Sequence, residues 1–215
     1  MQKIAIVTAN IGGIDNPITS IPNQVGDGFI FTFFNLACPT PMPNLSNRMK
    51  ARYIKTQLHH ILPAFDAFIW IDGRVEITSK YFVSEMLKQL KEFDIVVTQH
   101  PDRDNVYEEI KFIQHELERG EPYLTARYKG EPFNEELLFM MRNNLPYDFP
   151  LFASGIYARR NSNRLNTWSD QWWKNILEYT SLDQTMFCYN IWKYKLRYYA
   201  IPYDNKYYKV GQHKK

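Results

Sequence analysis

The stretch DAFIWIDGRVEI, Asp66 to Ile77, decides how the rest of the chain is read. It is rich in Ile, Phe and Trp, too short for a typical helix, and runs into a Gly that permits a tight turn, so it reads as a buried strand. Such a strand delivers Asp72 to its C-terminal tip. In open α/β sheets that edge is where ligands bind. A lone Asp at a strand end serves equally well to cap the following turn, so the neighbouring segments have to separate the two roles.

Before that stretch, Lys3 to Ala9 reads as a first buried strand that empties into Asn10-Ile11-Gly12-Gly13. The glycines of this turn would let a ligand approach the backbone closely, although the run is neither GxGxxG nor a P-loop. Phe29 to Leu36 is a second β segment, and Pro39 to Pro43 is an irregular connection. From Ser46 to Leu62 the spacing predicts a helix with Met49, Tyr53, Ile54, Leu58 and Ile61 on one face, ended by Pro63. Its cations, Arg48, Arg52 and Lys55, suit either a solvated face or a diphosphate.

After it, a helix is expected over Tyr81 to Phe93 and a strand over Asp94 to Gln99, emptying into His100-Pro101-Asp102-Arg103. That is a second polar cluster at a strand end. Helices follow over Val106 to Arg119, with Glu108 and Glu109 complementing the dipole at its start, and over Asn134 to Arg142. LFASGIYARR, residues 151–160, is a strand in which Ser154-Gly155 marks a bulge or a close approach. Helices over Asn161 to Tyr179 and Leu182 to Lys195 and a strand over Arg197 to Ile201 complete the alternation. The pattern predicts one α/β domain spanning residues 1–215, with a mixed, mostly parallel sheet of about six strands flanked by helices.

Composition narrows the function classes. A net charge of +3, with basic residues spread among acids except in the terminal KYYKVGQHKK, gives no broad nucleic-acid footprint. The 16% aromatic content suits sugar stacking or a bulky core, and packing is the commoner use. Cys38 and Cys188 form neither a disulfide framework nor a zinc pattern, and both are expected to be buried thiols. The chain opens with KIAIVTAN rather than a secretory leader, and its longest uncharged stretch, Gly28 to Asn47, contains three prolines, so no membrane span is expected and the localisation read is cytoplasmic.

Taken together, IVTANIGG, IWIDGR, VVTQHPDR, FASGIYAR and SLDQTMF resemble the motifs of GT-A fold, nucleotide-sugar glycosyltransferases, most closely those with a WIDG, HPxR and DQ pattern. The resemblance covers about Lys3 to Lys195 and implies a GT-A-like domain with a nucleotide-binding half, about 1–100, and an acceptor and sugar half, about 101–215. It implies transfer of a hexose or deoxyhexose, of glucose or rhamnose type, from a UDP-sugar to a glycan or glycoprotein acceptor with retention. Thr8, Ala9, Asn10, Ile11 and Gly12 would surround the uracil and ribose.

By the same resemblance Asp72 stands at the first position of a DxD motif, where it would hold Mn2+ or Mg2+. Arg74 replaces the second Asp, so either the ion is held by one carboxylate and the diphosphate, or Arg74 neutralises the diphosphate itself. Arg52, Lys55 and Gly73 join the nucleotide set, while His100, Arg103, Ser154 and Gly155 would orient the sugar. Asp183 and Gln184 match the DQ motif beside the anomeric carbon, although Ser181-x-x-Gln184 is also a capping-box sequence. His213, near the chain end, is a further candidate to close over the diphosphate or the metal. Two other readings stay open: a sugar nucleotidyltransferase, and a non-catalytic carbohydrate-binding module.

Overall fold

The computed structural model describes residues 1–13, 18–36 and 44–211. Cys38 and His213 lie outside these residues. Strands β1 (Gln2–Thr8), β2 (Phe29–Asn35), β3 (Ala67–Ile71), β5 (Ile95–Gln99), β6 (Phe152–Arg160) and β7 (Tyr198–Ile201) form one sheet in the order β2-β1-β3-β6-β5-β7. β6 pairs antiparallel with both β3 and β5 and is, among the described residues, the one reversed strand of this sheet, so the α/β sheet is mixed and mostly parallel. The C-terminal ends of β1, β3 and β5 therefore share one edge with the N-terminal end of β6. A separate ribbon of β4 (Val75–Ile77) and β8 (Tyr208–Val210) stands just beyond Asp72. β8 lies in the basic terminal run, where its Tyr-Lys-Val alternation carries too little pattern to show a strand.

The period-2 alternation of the central strands sends side chains into two cores, one on each face. Ala5, Val7, Phe68, Trp70, Val97 and Tyr157 pack beneath the helices α1 (Asn47–Thr56), α7 (Asn163–Glu178) and α8 (Asp183–Lys193). Ile4, Ile6, Ile69, Ile71 and Val96 face the other way, against Phe82, Val83 and Met86 of α3 (Phe82–Gln89). Trp168 and Trp172 on α7 have no exposed surface, so these aromatics are used for packing rather than for a sugar-binding face. Among the described residues no helix is long and apolar enough to cross a membrane.

Two local departures matter for the site. The helix expected over Ser46 to Leu62 breaks at Gln57 (φ −109°, ψ 28°) into α1 and the short α2 (Leu58–Ile61). Thr56 Oγ1 bonds back to the Arg52 and Tyr53 carbonyls, a competition with the helix ladder that favours bending. In β6 the register with β5 slips between Val97 and Thr98, leaving Ser154, Gly155 and Ile156 bulged out of the pairing. This is the irregularity expected at Ser154-Gly155. Its effect is to turn that segment toward the Asp72 strand end.

The second half of the chain adds α4 (Val106–Glu118), α5 (Pro122–Tyr128) and α6 (Phe133–Arg142). α5 has only seven residues and starts with Pro122 at its first turn, capped by Glu121, so its period is too short to detect in sequence. Cys188 is buried, as expected, and accepts a hydrogen bond from the Phe152 N–H.

Candidate functional site

A cavity of about 370 Å³ opens at the shared strand edge. Ala9, Asn10 and Ile11 reach it from the end of β1, Asp72, Gly73 and Arg74 from the end of β3, and His100 and Arg103 from the end of β5. Ser154 and Gly155 of the bulge, Arg52 of α1, and Asp183 and Gln184 at the start of α8 line it as well. Thr8 and Gly12 do not. Thr8 is buried behind the turn, and Gly12 (φ +83°) sits against Asn47, whose amide lies 2.4 Å from where a side-chain carbon would stand.

At the cavity floor lies a connected ionic network. Lys55, with no exposed surface, places Nζ 2.6 Å from Asp183 Oδ2, 3.0 Å from Ser154 Oγ and 3.4 Å from Asp72 Oδ1. Ser154 Oγ in turn donates to Asp183 Oδ2 at 3.0 Å, and Arg52 pairs with Asp183 Oδ1 at 2.9 Å. Asp72 is fixed from the strand side, because Trp70 Nε1 donates to its Oδ1 at 2.7 Å and its own N–H bonds the Gly155 carbonyl at 2.8 Å. A side chain at Gly155 would begin 3.2 Å from Asp72 Oδ2, which is why this position suits glycine. Lys55 does not itself line the cavity: it is buried beneath Asp72, Ser154 and Asp183, on neither a solvated face nor the surface open to a ligand.

The network settles what Asp183 does locally. Leu182 is the N-cap of α8 and makes no side-chain capping bond, while Ser181 and Gln184 turn instead to Glu131 and Glu109. No capping box forms. Trp172 Nε1 donates to the Asp183 carbonyl at 2.8 Å and anchors the helix start. Burial by itself raises the Asp183 pKa, but Arg52 and Lys55 outweigh it and hold the carboxyl down at about 2. It is therefore a fixed negative charge at neutral pH and a poor proton acceptor.

His100 is held neutral. Burial and the neighbouring Arg103 guanidinium depress it to about 4, and its Nδ1 accepts the backbone N–H groups of Asp102 and Arg103 at 3.2 and 3.1 Å. With Nδ1 an acceptor, the ring proton resides on Nε2. Arg103 is itself paired with Glu109, a buried carboxylate that also accepts from Gln184 Nε2 at 2.5 Å. Burial raises the Glu109 pKa against the pull of Arg103. Glu108, by contrast, takes the dipole and capping role at α4, exchanging bonds with Asn105.

Arg127 of the wall and Glu136, which does not line the cavity, were not singled out in the sequence, and Arg48 of the α1 cations takes an ion-pair role. Arg48 pairs with Glu131 at 2.8 Å, and Arg127 of α5 lies over the rings of Tyr123 and Tyr128 at 5.0 and 5.6 Å. Glu136 of α6 is fully buried and accepts bonds from Thr180 and Thr185, bracing the turn that leads into α8. Glu136 gives no signal in the sequence, because a Glu in a helix reads as a surface residue.

Burial pushes the Glu136 carboxyl from its usual 4.5 up to about 7. The folded state holds that proton more tightly than the unfolded chain, so the group's stabilising effect is complete below about pH 4.5 and is lost as pH rises to about 7. Glu136→Gln removes this slope. Urea denaturation should show the variant gaining on the parent, by at most about 3 kcal/mol, between pH 5 and pH 8. Parallel pH profiles would contradict a raised pKa at this site.

A divalent cation at Asp72 meets an unsuitable donor set. Asp72 Oδ1 is taken by Trp70 and Lys55, the second motif position is Arg74, and both Asp183 oxygens and Glu109 are engaged by cations and amides, so that Asp72 Oδ2 and the exposed Asp102 are what the cavity's carboxylates leave for an ion. Among the described residues the one trio of metal-ligand type, His59, His60 and Asp170, does not line the cavity. Its His59 Nδ1 faces the donating Arg159 guanidinium at 3.0 Å, which leaves the proton on Nε2 to bond Asp170.

The curated proteins contain no match to the chain. The family model described as TOD1/MUCI70, glycosyltransferase-like domain, matches residues 38–210, which takes in the α1 cations, the Asp72 turn, the His100 cluster, the β6 bulge and the Asp183 helix start. With an α/β sheet carrying those elements to one edge, the chain belongs to the TOD1/MUCI70 glycosyltransferase-like domain family.

Proposed function

We propose that the protein transfers a hexose or deoxyhexose from a UDP-sugar to a glycan acceptor with retention of anomeric configuration. The observation that carries this is the Asp72, Lys55, Ser154 and Asp183 network on the floor of a cavity at the C-terminal strand edge. Glycosyl transfer needs a fixed negative charge beside a centre that becomes cationic, and positive charge beside the leaving diphosphate. Asp183, ionised and barred from protonation by Arg52 and Lys55, supplies the first. Guanidiniums on the cavity wall supply the second.

In this reading the anomeric carbon–oxygen bond to the diphosphate breaks with its electron pair going to the phosphate oxygen. The acceptor hydroxyl bonds the same face of the carbon, and its proton passes to that phosphate oxygen. No side-chain base is required, which agrees with the low basicity of Asp183. The turn Ala9 to Ile11 faces the base and ribose, while neutral His100 can donate from Nε2 to a sugar hydroxyl.

The test is thermal unfolding with UDP, GDP, CMP and ATP, followed by hydrolysis assays on UDP-sugars. A ligand present at a hundred times its Kd stabilises by about 2.7 kcal/mol, which for a domain of this size is a rise of roughly 5–10 °C in Tm. We expect UDP to give such a shift and the other three to give less than half of it. Equal shifts with all four would remove the uracil assignment, and no shift with any would remove the nucleotide-sugar reading.

A further inference from the structure

We propose that the donor diphosphate is bound by Arg74 and Arg127, without a divalent metal ion, and that Asp72 is a structural counterion of Lys55. The inference rests on the transferase reading and specifies its anion site. Pairing the cavity's cations with its carboxylates leaves a definite remainder. Arg48 has Glu131, Arg52 has Asp183 and Arg103 has Glu109, whereas among the described residues neither Arg74 nor Arg127 forms an ion pair. Asp102, the remaining cavity carboxylate, lies exposed at the rim. The diphosphate of a nucleotide sugar carries two negative charges, which two guanidiniums balance.

The two residues are also placed to act together. Arg74 comes from the turn after β3 and Arg127 from α5, yet both bear electrostatically on the Tyr123 hydroxyl, as does Arg52. Arg127 is stiffened by the Tyr123 and Tyr128 rings, and its Nε is buried with no hydrogen-bond partner. A neighbouring donor, Nη1 of Arg48, is buried and unpartnered in the same way. Orphaned guanidinium donors on a cavity wall call for an acceptor with several oxygens, and a planar fork matches phosphate bidentately. A divalent ion at Asp72 would have to approach a carboxylate whose Oδ1 already lies 3.4 Å from the Lys55 ammonium and 2.7 Å from the Trp70 donor, with Arg74 two residues along.

Calorimetric titration tests this, with inorganic pyrophosphate in EDTA and with UDP in EDTA and in Mn2+. Both probes should bind in EDTA, Mn2+ should change UDP affinity less than twofold, and Arg74→Gln and Arg127→Gln should each weaken pyrophosphate at least tenfold. Arg74→Lys and Arg127→Lys, which keep the charge but lose the fork, should recover part of that loss, and circular dichroism checks that all four are folded. An affinity for UDP raised tenfold or more by Mn2+ would overturn the proposal while leaving the transferase reading standing. Pyrophosphate binding in EDTA without any UDP binding would uphold the anion site and remove the donor assignment. Absence of pyrophosphate binding in EDTA would overturn the proposal.

Discussion

Asp183→Asn is expected to lower turnover of the donor at least about 100-fold, the scale seen when one preorganised electrostatic contact to a transition state is removed. The substitution is nearly isosteric and can still accept from Lys55, but it replaces a fixed negative charge with a dipole beside the carbon that becomes cationic. Donor affinity should stay within a few-fold of the parent, because the diphosphate contacts lie elsewhere. The same change exposes the stability side of the network. A carboxyl held at about 2 instead of its usual 3.8 contributes about 2 kcal/mol at neutral pH, a contribution present above pH 4 and lost as pH falls through 2. The readouts are kcat and donor Kd on the folded variant at pH 7. Unchanged kcat would return Asp183 to a purely structural role.

Lys55→Met should produce the largest loss of stability of any single substitution at the site. Lys55 has no exposed surface and shares its ammonium among Asp183, Ser154 and Asp72, so its removal leaves two carboxylates short of a cation. Breaking one side of a buried ion pair costs about 3–5 kcal/mol, here roughly 10 °C in Tm. The second variant that makes this informative is Lys55→Met with Asp183→Asn. Removing both charges should restore at least about 1 kcal/mol relative to the lysine change alone, a coupling that a denaturation cycle reads directly. Strict additivity would show that the two groups do not share an energetic network.

The strands could be read from sequence because burial on both faces leaves an unmistakable apolar run, as in FIWI ahead of Asp72 and IVVT ahead of His100. The strand-end residues followed from them. Lys55 was ambiguous because helical spacing shows that a residue lies off the apolar stripe, not that a neighbouring helix and a bulged strand cover it. Asp183 was ambiguous for another reason, since its four-residue context fits a cap as well as a site, and only the turning away of Ser181 and Gln184 separates the two. Glu131 and Glu136 were missed because their partners, Arg48 and Ser181 for the first and Thr180 and Thr185 for the second, lie dozens of residues away, and Arg127 was missed because the seven residues of α5 carry no clear helical period. The break at Gln57 arises from a Thr hydroxyl bonding back to its own helix, a choice that propensity does not encode.

The reversed strand β6 has a consequence for how the chain matures. It sits between β3 and β5, pairing Ala67 with Arg160 and Ile95 with Arg159, so the middle of the sheet is filled by a segment made last of the three. Until it arrives from the ribosome, β3 and β5 each present a bare row of amide and carbonyl groups flanked by apolar side chains, the template on which strands of other molecules add. Closure across that gap depends on contacts far apart in sequence, which slows it and prolongs the exposure. Nascent chains halted before residue 152 should therefore be the form of this protein most prone to aggregate and most dependent on chaperones, and the step that completes the floor of the cavity is the same step that removes the hazard.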